Sequence, residues 1–300
     1  MRIEAVERLD LADIQVLVFA GGGNRCWWQA GAVNHWLERG WFLPTRLLGT
    51  SGGAAVATSF LTTGANAALD TCQRLFAANA RMFEWKHLLR LRVRFAHRHI
   101  YPQWVASFLD TEHFERLRES SSRLSVAVTR PAKMLGLKGS VAAATLAYLV
   151  DKFVANRIHP RLPTLLGLRQ DLLELHACAD ADEAQTLLVA AAAAQPFIPA
   201  RRVAGRIAFD GGYTDNAPIP PAQEGLHTHT LVLLTRRYRK LPTLFRADNR
   251  YYWQPSRRIP VSMLDCTARA TVRDAFALGE SDARDAFARN ELCIGPSVSS

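Results

Sequence analysis

The chain has 300 residues, of which 49% are hydrophobic and 21% are charged. This composition supports a buried core and excludes an intrinsically disordered chain. The formal net charge is +10, and the excess lies in two segments. Residues 81–100 carry six Lys or Arg against one Glu, and residues 236–258 carry eight against one Asp. These segments either are solvated faces or meet an anionic surface such as lipid head groups.

The five cysteines are scattered, and none has the spacing of a zinc site or of a disulfide framework. No acidic calcium-binding loop is visible, so we expect neither a metal nor another cofactor.

The first 15 residues include acidic residues and no apolar core, unlike a signal peptide. The apolar run at 141–150 is too short to span a bilayer. These features predict a cytoplasmic location, with peripheral contact to a membrane as an open option.

Predicted strands and helices alternate over the first 64 residues. An apolar run at 14–20 predicts a buried strand, which a glycine-rich turn and a helix ended by Gly40 follow. A second strand at 45–48 leads into another glycine-rich turn and a helix ended by Gly64. This order is typical of an α/β fold with a parallel sheet.

Further elements follow at irregular spacing. The sequence predicts helices at 66–80, 140–157 and 181–194, and strands at 123–129, before Asp210 and at 231–235. In the helix at 140–157, one apolar face is predicted to be lined by Ala142, Leu146, Leu149 and Phe153. Residues 89–98 alternate between apolar residues and arginines, as in an edge strand or a segment that lies on an anionic surface. We expect one domain over residues 1–300, with helical insertions near 80–120 and 132–175.

A serine lies between glycines directly after the second predicted strand, in Gly49-Thr50-Ser51-Gly52-Gly53. A sharp strand-to-helix turn would lift its hydroxyl out of the sheet, and small neighbours keep such a turn free of clashes. The N-terminus of the following helix leaves backbone N–H groups available for an oxyanion. The pattern predicts a nucleophile at Ser51. A glycine-rich turn that holds an unreactive serine is the alternative.

Two other glycine-rich stretches follow predicted strands. The first, Gly21-Gly22-Gly23-Asn24-Arg25, can expose several N–H groups in one concave turn. A dinucleotide-binding loop fits it poorly, because Cys26 stands where that fingerprint has glycine. The second stretch, Asp210-Gly211-Gly212, can turn a carboxylate toward a neighbouring loop, although an Asp at such a turn can also be purely structural.

The three stretches together resemble the patatin-like phospholipase family, in motif, order and spacing. They correspond to its oxyanion loop, its nucleophile elbow and its aspartate motif, and the resemblance is clearest over 14–64 and 185–235. It implies a three-layer α/β sandwich with a mainly parallel central sheet and helical insertions. Cys26 departs from the pattern, since the family usually has glycine there, and its Cβ can narrow the loop or reshape the acyl entrance.

The resemblance also implies a catalytic dyad of Ser51 and Asp210. Ser51 would attack an ester carbonyl, and Asp210 would take the serine proton and later activate water. The implied oxyanion hole comprises Gly21, Gly22, Gly23, Arg25 and Gly52. The glycines that support the motifs are Gly49, Gly53, Gly211 and Gly212. His227 and His229 follow Asp210, but the early position of the serine argues against a Ser-Asp-His triad.

The leading interpretation is a serine acyl hydrolase that acts on phospholipids or lysophospholipids. An acyltransferase or a broad carboxylesterase with the same dyad remains open, and so does a non-catalytic protein that binds lipid or membrane. No recognised nucleic-acid-binding motif is present, so nucleic acid is not an expected partner. The basic segments 81–100 and 236–258 could contact an anionic membrane. The aromatic residues Trp27, Trp28 and 251–253 either reach that interface or belong to the core.

Overall fold

A mixed β-sheet with parallel strands at its centre organises the chain, whose computed structural model describes residues 3–83, 94–151, 157–220 and 229–295. The strands are β1 (Ile3–Ala5), β2 (Leu9–Asp10), β3 (Val16–Phe19), β4 (Arg46–Thr50), β5 (Arg123–Arg130), β6 (Arg169–Glu174), β7 (Arg201–Val203), β8 (Arg206–Asp210), β9 (Thr230–Leu233), β10 (Leu244–Ala247), β11 (Arg250–Trp253) and β12 (Leu292–Cys293). The helices are α1 (Cys26–Glu38), α2 (Gly52–Leu61), α3 (Ala65–Ala77), α4 (His97–Ala106), α5 (Thr111–Glu119), α6 (Gly136–Val150), α7 (Leu162–Leu165), α8 (Ala181–Ala191) and α9 (Val272–Ala288).

In the described ranges the main sheet has the strand order β1-β10-β11-β9-β3-β4-β5-β8-β7, and β6 also pairs with β5. The central neighbours β11, β9, β3, β4 and β5 run parallel, whereas the outer pairs are antiparallel. The predicted α/β class with a mainly parallel central sheet is therefore confirmed. None of the described helices is long and apolar enough to cross a bilayer.

Strand β3 shows why the sheet lies in the middle of the fold. Leu17 and Phe19 belong to the core on one face, where α1, α2, α8 and α9 also contribute. Val16 and Val18 belong to a second core on the other face, which includes Tyr238. Side chains alternate between faces along a strand, so a strand that is apolar throughout must be covered on both sides.

Two strands share one edge of β5 in succession. Strand β4 pairs with it from Arg123 to Ala127, and β8 pairs with it at Val128 and Thr129. Strand β6 pairs with residues 125–130. Each residue has only two edges to pair, so β6 must occupy the opposite edge. Strand β8 therefore begins pairing where β4 has turned away, and this succession brings the end of β8 beside the end of β4.

The apolar face predicted for the helix at 140–157 is not the face that the described part of this helix buries, and Phe153 lies outside the described residues. Leu146 is 61% exposed and Leu149 is 42% exposed, whereas Ser140, Ala144 and Ala147 are buried. The segment VAAATLAYLV is apolar all round, so its periodicity does not identify a face. The small side chains permit a close approach to the layer below, which leaves the leucines outside.

The predicted insertion near 132–175 is helical only in part, because β6 within it joins the sheet. The insertion near 80–120 contains α4 and α5. Half of the alternating segment at 89–98, namely residues 89–93, lies outside the described residues.

The basic segment 236–258 does not form a single exposed face. Arg250 is only 6% exposed, and its Nε donates to the Tyr252 hydroxyl at 3.0 Å. Tyr252, Trp253, Trp27 and Trp28 are all buried. For these aromatic side chains the core interpretation is correct, and they cannot reach a membrane interface.

Candidate active site

Ser51 occupies a strained turn between β4 and α2. Its backbone has φ 52° and ψ −130°, a conformation that side-chain-bearing residues seldom adopt. Strain of this kind persists only where the surroundings enforce it, and it is common at functional sites. The turn reverses the chain from β4 into α2, and the Ser51 hydroxyl lies at the carboxyl end of the parallel strands.

The glycines of the turn are required by close backbone contacts. A methyl group added at Gly49 would lie 2.5 Å from Ala54 Cα, and one added at Gly53 would lie 2.5 Å from the Phe19 carbonyl oxygen. No flexible side chain could move aside to relieve either contact. The pattern Gly-x-Ser-x-Gly thus lets α2 pack directly against the ends of β3 and β4.

Asp210 lies at the end of β8, opposite the Ser51 hydroxyl. Ser51 Oγ donates to Asp210 Oδ2 at 2.8 Å, and the Gly212 N–H donates to Oδ1 at 2.8 Å. The carboxylate is nearly buried. Burial raises the pKa of Asp210 to about 6, although the two hydrogen bonds oppose this change. A carboxylate with this pKa is ionised at neutral pH and remains basic enough to accept a proton.

Side chains from β5 and β6 hold the turn that follows Asp210. Thr129 Oγ1 donates to the Asp210 carbonyl oxygen at 2.8 Å. Gln170 Nε2 donates to the carbonyl oxygens of Gly211 at 3.0 Å and Asp215 at 2.8 Å. Sequence reasoning missed both residues, since a lone Thr or Gln on a strand carries no recognisable signal.

The glycine loop after β3 is tied to the Asp210 turn. The Gly21 N–H donates to the Asn216 carbonyl oxygen at 2.8 Å, and Thr235 Oγ1 donates to the Gly21 carbonyl oxygen at 2.5 Å. In contrast, the N–H groups of Gly22, Gly23 and Gly52 donate to no acceptor among the described residues. Gly21 therefore fixes the loop, and the other three amides remain available to a ligand.

Arg25 and Cys26, which connect the glycine loop to α1, have different environments. Cys26 is buried and its Sγ lies 3.5 Å from the Ala20 carbonyl oxygen. Burial raises the pKa of the Cys26 thiol far above its ordinary value, so it is a packed residue. The Arg25 N–H donates to the Gly22 carbonyl oxygen, and its side chain lines the cavity described next.

Ser51 and Asp210 open into a cavity of about 490 Å³. Its walls include a large apolar part, to which Val56, Phe76, Ile100, Trp104, Phe197 and Ile198 contribute. Arg25, Arg157 and Arg236 line the same cavity, together with Asp151. The volume suits a small ligand, and the lining suits one that has a long apolar part and an anionic group.

A hydrogen-bond network of His159, Asp215 and Tyr252 lies beside the segment that holds the glycine loop. His159 bonds through Nδ1 to Asp215 Oδ2 at 2.7 Å and through Nε2 to the Tyr252 hydroxyl at 2.9 Å. Asp215 precedes Asn216, whose carbonyl group holds the glycine loop. The network therefore connects β11 to the loop beside Ser51, and no sequence motif identified His159 or Tyr252.

The two histidines considered for a triad do not join this site in the described structure. His229 Nδ1 lies 2.9 Å from the Asp13 carbonyl oxygen, at the opposite end of β9 from Thr235. His227 lies outside the described residues. Within the described ranges, no group of three or more His, Cys, Asp or Glu side chains could hold a metal ion.

Comparisons with known proteins define the class. A model of the patatin-like phospholipases matches residues 17–222, which include all three glycine-rich stretches. The chain therefore belongs to the patatin-like phospholipase family, whose members are lipid acyl hydrolases. No curated protein sequence matches it. The solved structure of VipD from Legionella pneumophila is 12% identical, with a TM-score of 0.36, over 90% of this chain and 67% of that one. A similarity this low supports no conclusion about activity.

Proposed function

We propose that the protein is a serine acyl hydrolase that cleaves lipid acyl esters through a dyad of Ser51 and Asp210. The observation that carries this proposal is the hydrogen bond of 2.8 Å from Ser51 Oγ to Asp210 Oδ2 at the wall of an apolar cavity. A nucleophile that donates directly to its base needs no intervening histidine.

In the proposed acylation step, Ser51 Oγ attacks the ester carbonyl carbon while Asp210 takes the hydroxyl proton. The carbonyl oxygen becomes an oxyanion, and the N–H groups of Gly22, Gly23 and Gly52 are placed to stabilise it. Collapse of the tetrahedral intermediate expels the alcohol, which receives the proton from Asp210. The acyl group then remains on Ser51.

Deacylation uses the same groups with water as the nucleophile. Asp210 takes a proton from water, the resulting hydroxide attacks the acyl carbonyl, and Ser51 leaves with the proton returned by Asp210. The products are a free fatty acid and the original enzyme. Donors that are fixed before the reaction, such as those of the 21–23 loop, need no reorganisation when the charge forms.

Phospholipids or lysophospholipids are the proposed substrates. The apolar wall suits an acyl chain, and the three arginines suit a phosphate ester near the scissile bond. We expect Arg25→Met to weaken hydrolysis of phospholipid more than hydrolysis of a neutral ester of the same acyl chain. An equal loss on both substrates would indicate that Arg25 only stabilises the glycine loop and does not bind the phosphate.

The primary test compares wild type, Ser51→Ala and Asp210→Asn on a p-nitrophenyl ester and on a lysophospholipid. Each variant should fold as wild type does by circular dichroism and lose at least about a thousandfold in kcat. Activity in both folded variants would contradict the dyad. No turnover by the wild type would favour a protein that only binds lipid.

The acyl acceptor separates the hydrolase from a transferase. The measurement is product analysis with and without an added lysolipid or alcohol. Free fatty acid as the main product in both conditions supports the hydrolase. Quantitative capture of the acyl group by the added acceptor would favour an acyltransferase with the same dyad.

A further inference from the structure

Large apolar side chains are exposed mainly on one helix pair. Helix α7 packs against α6, and a methyl group added at Gly167 would lie 3.3 Å from Ala132 Cβ, just before α6. Among the described residues, most of the exposed large hydrophobic side chains lie on or beside this pair. They are Met134 at 99% exposure, Leu135, Leu146, Leu149, Val150, Leu162, Leu165 at 80% and Leu166. We call these eight residues the α6–α7 apolar surface.

This surface is continuous with the cavity that holds Ser51. Thr145, Tyr148 and Leu149 of α6 and Pro163 of α7 line the cavity. Leu149 is also 42% exposed, so the cavity wall and the outer surface meet at this residue. A ligand that entered the cavity beside Leu149 would cross the α6–α7 apolar surface first.

Exposed basic residues flank the apolar surface along the chain. Lys133, Lys138, Arg157, Arg161 and Arg169 are exposed within the described parts of 131–169, where Asp151 is the acidic residue. Apolar residues flanked by basic residues complement an anionic lipid surface, because the apolar side chains insert to the boundary between head groups and acyl chains and the cations meet the phosphates. A protein partner with an acidic rim is the competing occupant.

We propose that the α6–α7 apolar surface seats the protein on an anionic lipid aggregate, with the cavity mouth facing the lipid. This inference rests on the proposed lipid substrate, and it moves the membrane contact away from segments 81–100 and 236–258. This binding is reversible, since the side chains reach only the boundary between head groups and acyl chains. A lipid then passes from the aggregate to Ser51 without crossing water.

The test substitutes two exposed leucines that do not line the cavity. The variant Leu146→Gln/Leu165→Gln is compared with Phe42→Gln. Phe42 is 81% exposed and lies between α1 and β4, at the end of the sheet opposite to Ser51. Binding is measured by vesicle co-sedimentation in a Ser51→Ala background, so that hydrolysis does not alter the vesicles. The vesicles contain phosphatidylcholine with or without phosphatidylglycerol.

We expect the double variant to bind anionic vesicles about a hundredfold more weakly, roughly tenfold for each leucine withdrawn from lipid. Phe42→Gln should change binding by less than about twofold, as expected of a surface substitution away from the lipid contact. The variant Lys138→Gln/Arg161→Gln should lose about fivefold per side chain on anionic vesicles and nothing on pure phosphatidylcholine. With Ser51 intact, turnover of a soluble p-nitrophenyl ester should stay unchanged in the leucine variant.

Three results would overturn the inference. The first is undiminished vesicle binding by the leucine variant, and the second is an equal loss in Phe42→Gln. The third is a wild-type dimer, seen by light scattering, that this variant converts to monomer without a change in vesicle binding. Failure of the proposed function is separate, because it would appear as absent ester turnover while vesicle binding could still be measured.

Discussion

Asp210 is 8% exposed and accepts hydrogen bonds from the Ser51 hydroxyl and the Gly212 N–H. These two donors do not fully replace the water that a carboxylate loses on burial, which is why its pKa rises to about 6. Protonation of the Asp210 carboxylate therefore affects two properties, the reactivity of Ser51 and the stability of the fold.

Activity should depend on the ionised form of Asp210. We expect kcat/KM for a soluble ester to rise through a midpoint near pH 6 and to reach a plateau above it, because only the carboxylate can accept the serine proton. The measurement is a pH–rate profile on a substrate that does not titrate in this range. A profile that is flat across pH 6 would contradict Asp210 as the base.

Stability should change with pH in the opposite direction. Between about pH 4 and pH 6 the folded state holds a proton on Asp210 that the unfolded state has lost, so the free energy of unfolding falls as pH rises. The charged form costs the fold on the order of 3 kcal/mol above this window.

Asp210→Asn removes that cost. At pH 8 we expect the variant to be more stable than wild type by about 1–3 kcal/mol, because a neutral amide replaces a buried charge. At pH 4, where Asp210 is protonated, the difference should shrink. Urea unfolding at both pH values measures this. A variant that is less stable than wild type at pH 8 would indicate that the hydrogen bonds outweigh burial.

At the scale of elements, α6 shows how packing selects one face of an apolar helix. Ala144 is fully buried, while Ala142 lies on the exposed side. We expect Ala144→Leu to cost about 1–3 kcal/mol, because the added atoms have no room. Ala142→Leu is the matched control and should change stability by less than about 0.5 kcal/mol. Thermal unfolding of both variants tests the assignment, and equal effects would contradict it.

The sequence predicted the elements whose apolar runs end in glycine, such as β3, β4 and their turns. Apolar runs report burial and glycines report chain reversal, so both signals are local. The proposed site could be predicted for the same reason, since each of its three stretches is a short run of neighbouring residues. The buried face of α6 was not predictable, because apolar residues lie on every side of its segment 141–150.

Contacts between residues far apart in the chain could not be predicted from sequence patterns either. The shared edge of β5 depends on strand register, which no single segment encodes. The bond between His159 and Asp215 joins residues that are 56 positions apart, and neither position carries a motif for that pairing. Such contacts follow from the assembled sheet and become visible only with it.

At the scale of the whole molecule, the core extends beyond the family match. That match ends at residue 222, but β9 (Thr230–Leu233) lies between β3 and β11 at the centre of the sheet. Helix α9 packs closely against α1, since a methyl group added at Gly279 would lie 2.8 Å from the Ala32 backbone nitrogen. We infer that the described parts of residues 1–300 belong to one domain.

A buried contact between α1 and α9 tests this inference. Asp282 accepts from Trp28 Nε1 at 2.7 Å, from the Ser256 N–H at 3.0 Å and from the Ser256 hydroxyl at 2.6 Å. Asp282→Ala should lower the free energy of unfolding by about 2–4 kcal/mol, because it leaves the buried donors of Trp28 and Ser256 without an acceptor. The exposed Asp285→Ala is the control. One cooperative transition at lower denaturant is the expected result, and a separate early transition would indicate two domains.

The succession of β4 and β8 along one edge of β5 also determines when the proposed enzyme can act during its synthesis. Ser51 and Asp210 are 159 positions apart, so the serine is made well before its base. At about 5–20 residues per second, the delay is about 10 to 30 seconds. During that time a nascent chain holds Ser51 without the carboxylate that would accept its proton. The proposed activity would thereby be withheld on the ribosome until the second half of the chain has joined the sheet.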